Sequence, residues 1–156
     1  MAATTTPSTH WLVKLLQTDY PAYKFMPAAE FSWQPASSTI EFSITEYDEA
    51  LLLHELAHAL LQHTNYQRDV ELLRIESAAW TKALELATHY SLRIEQERID
   101  SHLNTYRDWL HARSTCPNCQ SSGVQITSDN YQCPACSSTW QVNEARHCQL
   151  RRKLID

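Results

Sequence analysis

Apolar residues recur at helical spacing in four stretches of the chain, and each stretch predicts an amphipathic helix. The stretches are residues 9–18, residues 47–65, residues 69–90 and the stripe Ile99, Leu103, Tyr106 and Leu110. The first is short, and Ser8 or Thr9 is expected to cap it. The second contains no Pro or Gly and is rich in Leu and Ala, which favours a helix.

Two regions alternate between apolar and polar residues at the spacing of strands. Residues 30–44 alternate on both sides of Gln34-Pro35-Ala36-Ser37-Ser38, which predicts a hairpin. Residues 124–127 and 130–132 predict a shorter hairpin, to which residues 139–142 would add a third strand. Long helices combined with small antiparallel sheets predict a mostly helical α+β fold.

The motif His54-Glu55-Leu56-Ala57-His58 lies inside the second predicted helix. Because four residues make about one helical turn, both imidazoles project from one face and can bind one zinc ion. Glu55 lies about 60° around the helix from His58, near enough to act as general base on a water but not as a third ligand. The alternative is a helix that carries two histidines by chance.

Glu76 is the candidate third ligand. It lies in the middle of the apolar stripe of residues 69–90, whereas Glu71 falls on the polar face. A buried carboxylate is costly unless a metal, a cation or a hydroxyl group pairs with it. Zinc held by the two histidines is one such partner, and an Arg or a buried hydroxyl is the alternative.

His63 is the rival third ligand. If the second helix continues through it, His63 points about 140° away from His58, so it is predicted to lie at the helix end or behind a ligand. His102 has no ligand partner at helical spacing and is interpreted as a surface residue.

Four cysteines predict a second zinc site. They form the pairs Cys116/Cys119 and Cys133/Cys136, separated by 13 residues. Four thiolates leave no open coordination position, which predicts a structural zinc in a ribbon over residues 113–142. Gly often follows the second Cys of such a knuckle, but Gln120 and Ser137 follow here. Cys148 is predicted to be a free thiol.

The run from His54 to His63, followed by Arg74-Ile75-Glu76-Ser77-Ala78-Ala79-Trp80, resembles the active-site core of the ImmA/IrrE-type metallopeptidases. These are gluzincin-like zinc enzymes with H-E-x-x-H on one helix and Glu-x-x-Ala on the next. The resemblance covers residues 8–90. It implies His54, His58 and Glu76 as ligands of a catalytic zinc and Glu55 as the catalytic base. It also implies a regulatory endopeptidase that cuts a repressor or another specific protein.

Two further expectations concern how a substrate would bind. Resemblance and position make residues 39–44 the candidate edge strand for an extended peptide, and a core strand without a substrate role is the alternative. Tyr47 and Tyr66 are candidates for stabilising the oxyanion beside the metal.

Other functions stay open. The chain also resembles the SprT-like metallopeptidases, which join an H-E-x-x-H helix to a zinc ribbon, so a protease acting on DNA-associated proteins is an alternative. The third ligand of that family is a His, which no well-placed residue here matches. A non-catalytic zinc-binding adaptor is a further alternative, although the intact Glu55 argues against it. The last alternative is an enzyme that is inactive until a partner binds.

Composition adds two constraints. The chain has one glycine, Gly123, so few turns can use positive φ without strain, which favours long helices joined by polar loops. The net charge is −5, but residues 1–112 carry 8 Lys and Arg against 15 Asp and Glu, and residues 113–156 carry 5 against 3. The two parts are therefore expected to meet different partners.

The 156 residues divide into a metallopeptidase-like domain over residues 1–112, the ribbon over 113–142 and a basic tail over 143–156. No apolar run approaches the roughly 20 residues of a membrane span, and the N-terminus lacks the basic region of a secretory signal. A cytoplasmic protein is expected, without a membrane partner. Its expected partners are a protein or peptide substrate and a nucleic acid or protein at the ribbon.

Overall fold

The computed structural model describes residues 10–145 and 149–156. The described residues form four α-helices and two small sheets, which confirms the predicted α+β class. They divide into two compact units. The first comprises residues 10–64 and 79–94, and the second comprises residues 65–78, 95–145 and 149–156.

The first unit contains a three-stranded sheet and the helix that carries the histidine motif. Its elements are α1 (Trp11–Asp19), β1 (Lys24–Ala28), β2 (Ser32–Gln34), β3 (Thr39–Ser43) and α2 (Glu49–Leu60). It also includes the second half of helix α3 (Asp69–His89). Leu16, Ile40, Leu53 and Leu56 are buried in its core. His10 precedes α1, and the expected caps Ser8 and Thr9 lie outside the described residues.

The predicted hairpin is confirmed, but its second strand is not an edge. Strand β3 pairs antiparallel with β2 and parallel with β1, in the order β1-β3-β2. The expectation that residues 39–44 form an open edge for a peptide is therefore wrong, because both sides of β3 already carry backbone hydrogen bonds. Strands β1 and β2 are the outer strands of this sheet.

The second unit contains the first half of α3, helix α4 (Gln96–Ser114) and a four-stranded antiparallel sheet. The strands are β4 (Val124–Gln125), β5 (Asn130–Gln132), β6 (Thr139–Val142) and β7 (Arg152–Ile155), in the order β4-β5-β6-β7. The three predicted ribbon strands are confirmed. Strand β7 was not predicted, and it adds residues of the expected tail to the ribbon sheet by pairing with β6.

A buried ion pair connects the parts of the second unit. Asp69, at the start of α3, accepts hydrogen bonds from Arg113 Nε at 2.7 Å and from the Tyr131 hydroxyl. Arg113 also donates to the carbonyl of Asn143 at 2.7 Å and to that of Ser128 at 3.2 Å. Burial, together with the hydrogen bond to Asp69, raises the pKa of Tyr131. Removing one member of such a pair would leave a buried charge without its partner, which is costly. The network therefore stabilises the contacts among the start of α3, the end of α4 and the ribbon.

The single glycine serves close packing rather than a turn. A Cβ at Gly123 would lie 2.2 Å from the ring of Trp140, which is fully buried. The Trp140 Nε1 group in turn donates to the carbonyl of Arg113 at 2.9 Å. Any side chain at position 123 would therefore displace the central aromatic residue of the ribbon.

Other residues take the left-handed backbone conformations that glycine would usually supply. Among the described residues, those at positive φ are Ser38, Gln62, Ser91, Gln120, Ser137 and Gln149. Each such non-glycine residue costs roughly 1–2 kcal/mol of backbone strain. The chain thus forms tight turns without glycine, and two of these residues, Gln120 and Ser137, directly follow the candidate metal ligands Cys119 and Cys136.

Candidate metal centres

Helix α2 positions the histidine motif. Asp48 caps its start by accepting a hydrogen bond from the backbone N–H of Leu51 at 3.1 Å. Its apolar side chains anchor one side of the helix in the core, and Leu52, Leu53, Leu56 and Ala57 are fully buried. This anchoring turns both His54 and His58 into the protein, where they are also buried.

His54, Glu55 and His58 form a compact set of donor atoms, called here the α2 site. The Nε2 atoms of His54 and His58 lie 3.1 Å apart. A carboxylate oxygen of the half-buried Glu55 lies within 4.8 Å of the ligand atoms of both histidines. Two imidazole nitrogens on one tetrahedral zinc ion lie about 3.3 Å apart, so the two rings fit a shared metal with little adjustment.

Trp80 holds the ring of His54. The two rings stack with their centroids 4.2 Å apart and their planes 27° from parallel. His54 is only 2% exposed, so its ring has little room to rotate. The second half of α3, which carries Trp80, therefore fixes the direction in which the His54 nitrogens point.

The end of α2 departs from the prediction. The helix stops at Leu60 rather than continuing to residue 65, because Gln62 adopts φ 55° and reverses the chain. His63 is thereby turned back, and its Nδ1 lies 2.9 Å from Nδ1 of His58. The predicted angle of about 140° between the two residues is wrong because it assumed an unbroken helix.

Glu76 lies in the first half of α3 and belongs to the second unit. It is 6% exposed, as its position in the apolar stripe predicts. A ring nitrogen of His102 on α4 lies within 4.8 Å of a Glu76 carboxylate oxygen. His102 is half-buried, so its interpretation as a surface residue is wrong. Its place three residues after the buried Ile99, on the flank of the apolar stripe of α4, was the available signal.

The two tyrosines considered for the oxyanion are not part of helix α2. Tyr47 precedes the cap of α2, and its ring packs 4.9 Å from that of His10 and 6.5 Å from that of Phe42. Burial, aided by nearby Glu49 and Asp48, raises the pKa of Tyr47 to about 12, so its phenol stays protonated. Tyr66 belongs to the second unit. Their role stays a prediction.

The four cysteines converge, and they are called here the ribbon site. Their Sγ atoms all lie within 4.8 Å of one another. The Sγ atoms of Cys116 and Cys136 are 3.7 Å apart, and those of Cys119 and Cys133 are 3.5 Å apart. Thiolates on one tetrahedral zinc ion are separated by about 3.8 Å, so the set matches a four-sulfur zinc site.

The two knuckles of the ribbon site have the same backbone geometry. Gln120 and Ser137 both have φ 63°, and their N–H groups donate at 2.9 Å to the carbonyls of Cys116 and Cys133. Both knuckles therefore form this turn without glycine, although Gln120 and Ser137 each carry the strain of positive φ.

Hydrogen bonds favour thiolate at the exposed cysteines. The side chain and backbone of Ser138 lower the pKa of Cys136 to about 6. The side chain and backbone of Ser121 lower the pKa of Cys119. Since the thiolate is the form that binds metal, these hydrogen bonds favour metal binding at Cys119 and Cys136, whereas burial raises the pKa of Cys133 to about 11.

None of the helices in the described part of the chain is both long and apolar enough to cross a membrane. No protein-family model, curated protein or solved structure matches the chain. The resemblance to the ImmA/IrrE-type metallopeptidases thus rests on the sequence motifs alone.

Proposed function

We propose that the protein is a zinc-dependent endopeptidase, with His54, His58 and Glu76 as zinc ligands and Glu55 as general base. One observation carries the proposal. The Nε2 atoms of the two histidines lie 3.1 Å apart, with a Glu55 oxygen within 4.8 Å of them. Two imidazole nitrogens with a carboxylate beside them match the donor set of a metallopeptidase site.

Zinc in this site would lower the pKa of a water molecule and polarise a peptide carbonyl. Glu55 takes a proton from the water, whose oxygen attacks the carbonyl carbon. The same carboxyl group then passes the proton to the amide nitrogen as the C–N bond breaks. Because Glu55 is half-buried rather than enclosed, its carboxylate can reach both the water and a substrate that enters from solvent.

Helix α3 supports Glu76 as the third ligand. Trp80, whose ring stacks on His54, follows Glu76 by four residues, so the two side chains share one face of the helix. A buried carboxylate needs a metal, a cation or a hydrogen-bond donor as its partner, and a zinc ion would serve.

The substrate we propose is an extended segment of a specific protein. Such a segment would bind by adding to an outer strand of the first sheet. Strand β2 is the better candidate, because Trp33 Nε1 donates to the carbonyl of His63 at 3.0 Å and so connects β2 to the end of the motif helix. The regulatory character of the cleavage rests on the resemblance to the ImmA/IrrE type.

A second candidate is a SprT-like protease that acts on DNA-associated proteins. It is favoured by the exposed cations Arg151, Arg152 and Lys153, which run into the outer strand β7 of the ribbon. Lys and Arg at such an edge suit contacts with phosphates. Binding of the full chain to duplex DNA that weakens steeply with salt would favour this candidate over the first.

Replacing Glu55 tests the proposed function. Glu55→Gln should keep its zinc and its fold but lose about 10²–10⁴-fold in cleavage rate, because the amide cannot accept the proton of the water. Cleavage can be followed by mass spectrometry on a library of unstructured peptides, and zinc by elemental analysis of the same samples.

Glu49→Gln is the matched control, since Glu49 lies on the same helix about 1.7 turns before Glu55. The amide oxygen of the Gln variant can still accept the hydrogen bond from Trp11 Nε1. This variant should cleave like the unaltered protein. An unchanged rate in Glu55→Gln would contradict the role of base, and loss of zinc in that variant would assign Glu55 as a ligand instead.

A further inference from the structure

The ring of His58 makes contacts on both of its nitrogen atoms. Its Nε2 lies 3.1 Å from Nε2 of His54, on the side of the proposed metal. Its Nδ1 lies 2.9 Å from Nδ1 of His63, which is hydrogen-bonding distance. The rings of His58 and His63 meet at 66° with their centroids 5.1 Å apart.

A closed turn places His63 at this position. The N–H of Gln62 donates to the carbonyl of Ala59, and the N–H of His63 donates to that of His58, both at 3.0 Å. These bonds and the positive φ of Gln62 form the turn that ends many helices. Trp33 Nε1 donates to the His63 carbonyl at 3.0 Å and fixes the turn from the other side.

The tautomers of the two rings follow from the proposed zinc site. A neutral imidazole carries one N–H and one lone pair, and the lone pair of His58 Nε2 is needed for zinc. The proton of His58 must then be on Nδ1. An N–H on Nδ1 requires an acceptor, and the nitrogen 2.9 Å away is Nδ1 of His63.

We propose that His63 is a positioning residue for the metal site: its Nδ1 accepts the Nδ1–H of His58 and so directs the Nε2 lone pair of His58 to zinc. This inference rests on the proposed zinc site. Partners behind a ligating His commonly fix its tautomer and ring orientation, and their removal weakens metal binding by 10–100-fold. Here the partner behind His58 is His63, five residues later in the chain.

Two replacements of His63 separate this role from a structural one. His63→Leu removes the acceptor, whereas His63→Asn keeps an acceptor oxygen, Oδ1, bonded to Cγ, where His63 has Nδ1. Both preserve the turn, because the Trp33 Nε1 group and the His58 carbonyl hydrogen-bond to the backbone of residue 63, which both variants retain. Gln62→Gly is the control, since it relieves the strained φ and leaves His63 in place.

Zinc affinity of the α2 site, measured by chelator competition while the ribbon keeps its metal, should fall 10–100-fold in His63→Leu. His63→Asn and Gln62→Gly should stay within about threefold of the unaltered protein on the same scale. Nitrogen-15 NMR of the zinc-loaded protein should show the proton of His58 on Nδ1, hydrogen-bonded in the unaltered protein and in His63→Asn.

The outcomes distinguish the two proposals. If the unaltered protein binds no zinc at His54 and His58, the proposed function fails, whatever position 63 contains. If it binds zinc and His63→Leu binds it equally well, the role of His63 alone is overturned. Equal weakening in His63→Leu and His63→Asn would also overturn that role, since an acceptor would then not matter.

Discussion

The Glu76→Gln variant is expected to lose the zinc of the α2 site and all proteolytic activity, while the ribbon zinc remains bound. A neutral amide oxygen is a far weaker ligand for zinc than a carboxylate oxygen, and two histidines alone hold the ion poorly. Glu76 is 6% exposed, and a bound zinc ion would offset the cost of burying its carboxylate. Elemental analysis of the purified variant measures the loss directly.

Glu85→Gln is the matched control for Glu76→Gln. Glu85 lies on the same helix, but it is exposed and pairs with Lys82 at 2.7 Å, so its replacement should change neither zinc content nor activity. Glu71 is less suitable, because the backbone N–H groups of Gln67 and Arg68 lower the pKa of its carboxyl and it thus helps to cap α3. Full zinc content in Glu76→Gln would contradict the assignment and favour a histidine as the third ligand.

Cys116→Ser is expected to unfold the ribbon, residues 114–142, and to leave the α2 site loaded. Structural zinc contributes about 10–16 kcal/mol to the folding of such small modules, more than their own cores supply. The core here consists of a few residues around Trp140 and Tyr131. Hydrogen exchange should show lost protection in β4, β5 and β6 and retained protection in α2.

Cys148→Ser provides the same chemical change outside the predicted ligand set and should leave both metals in place. The result that would count against the ribbon site is a folded, zinc-bound ribbon in a variant lacking two of its four cysteines. Because Tyr131 hydrogen-bonds to Asp69, some loss of protection at the start of α3 is also expected in Cys116→Ser.

Helices whose ends are marked by local signals could be predicted closely from the sequence. Helix α3 was expected over residues 69–90 and spans Asp69–His89. The end of α2 could not be predicted, because Gln62 adopts the left-handed conformation that glycine usually provides at the end of a helix. A glycine at that position would have marked the boundary.

Strand pairing depended on contacts that no local pattern shows. The hairpin of β2 and β3 was predicted from its turn, but the parallel pairing of β1 with β3 joins strands that are separated along the chain. Strand β7 lies in a segment that begins with three cations, and such a segment is typical of a solvated tail. It forms a strand by pairing with β6, a contact that the local sequence does not show.

The grouping of donor residues in both candidate sites could be predicted from their spacing in the sequence. His54 and His58 are four residues apart on one helix, and two residues separate the cysteines of each knuckle, so these side chains lie close together. The neighbours of these donors could not be predicted in this way. His63 lies beside His58 because of the turn at Gln62, and His102 lies near Glu76 because the first half of α3 and helix α4 belong to one unit. Spacing identifies ligands within an element, whereas their supporting residues come from tertiary packing.

The zinc content of the purified chain tests the central claim most directly. We expect two zinc ions per chain in the unaltered protein, one in His58→Ala and one in Cys133→Ser, because the two ligand sets share no residue. A single zinc ion that is retained in His58→Ala and lost in Cys133→Ser would contradict the claim that the histidine helix is a zinc site.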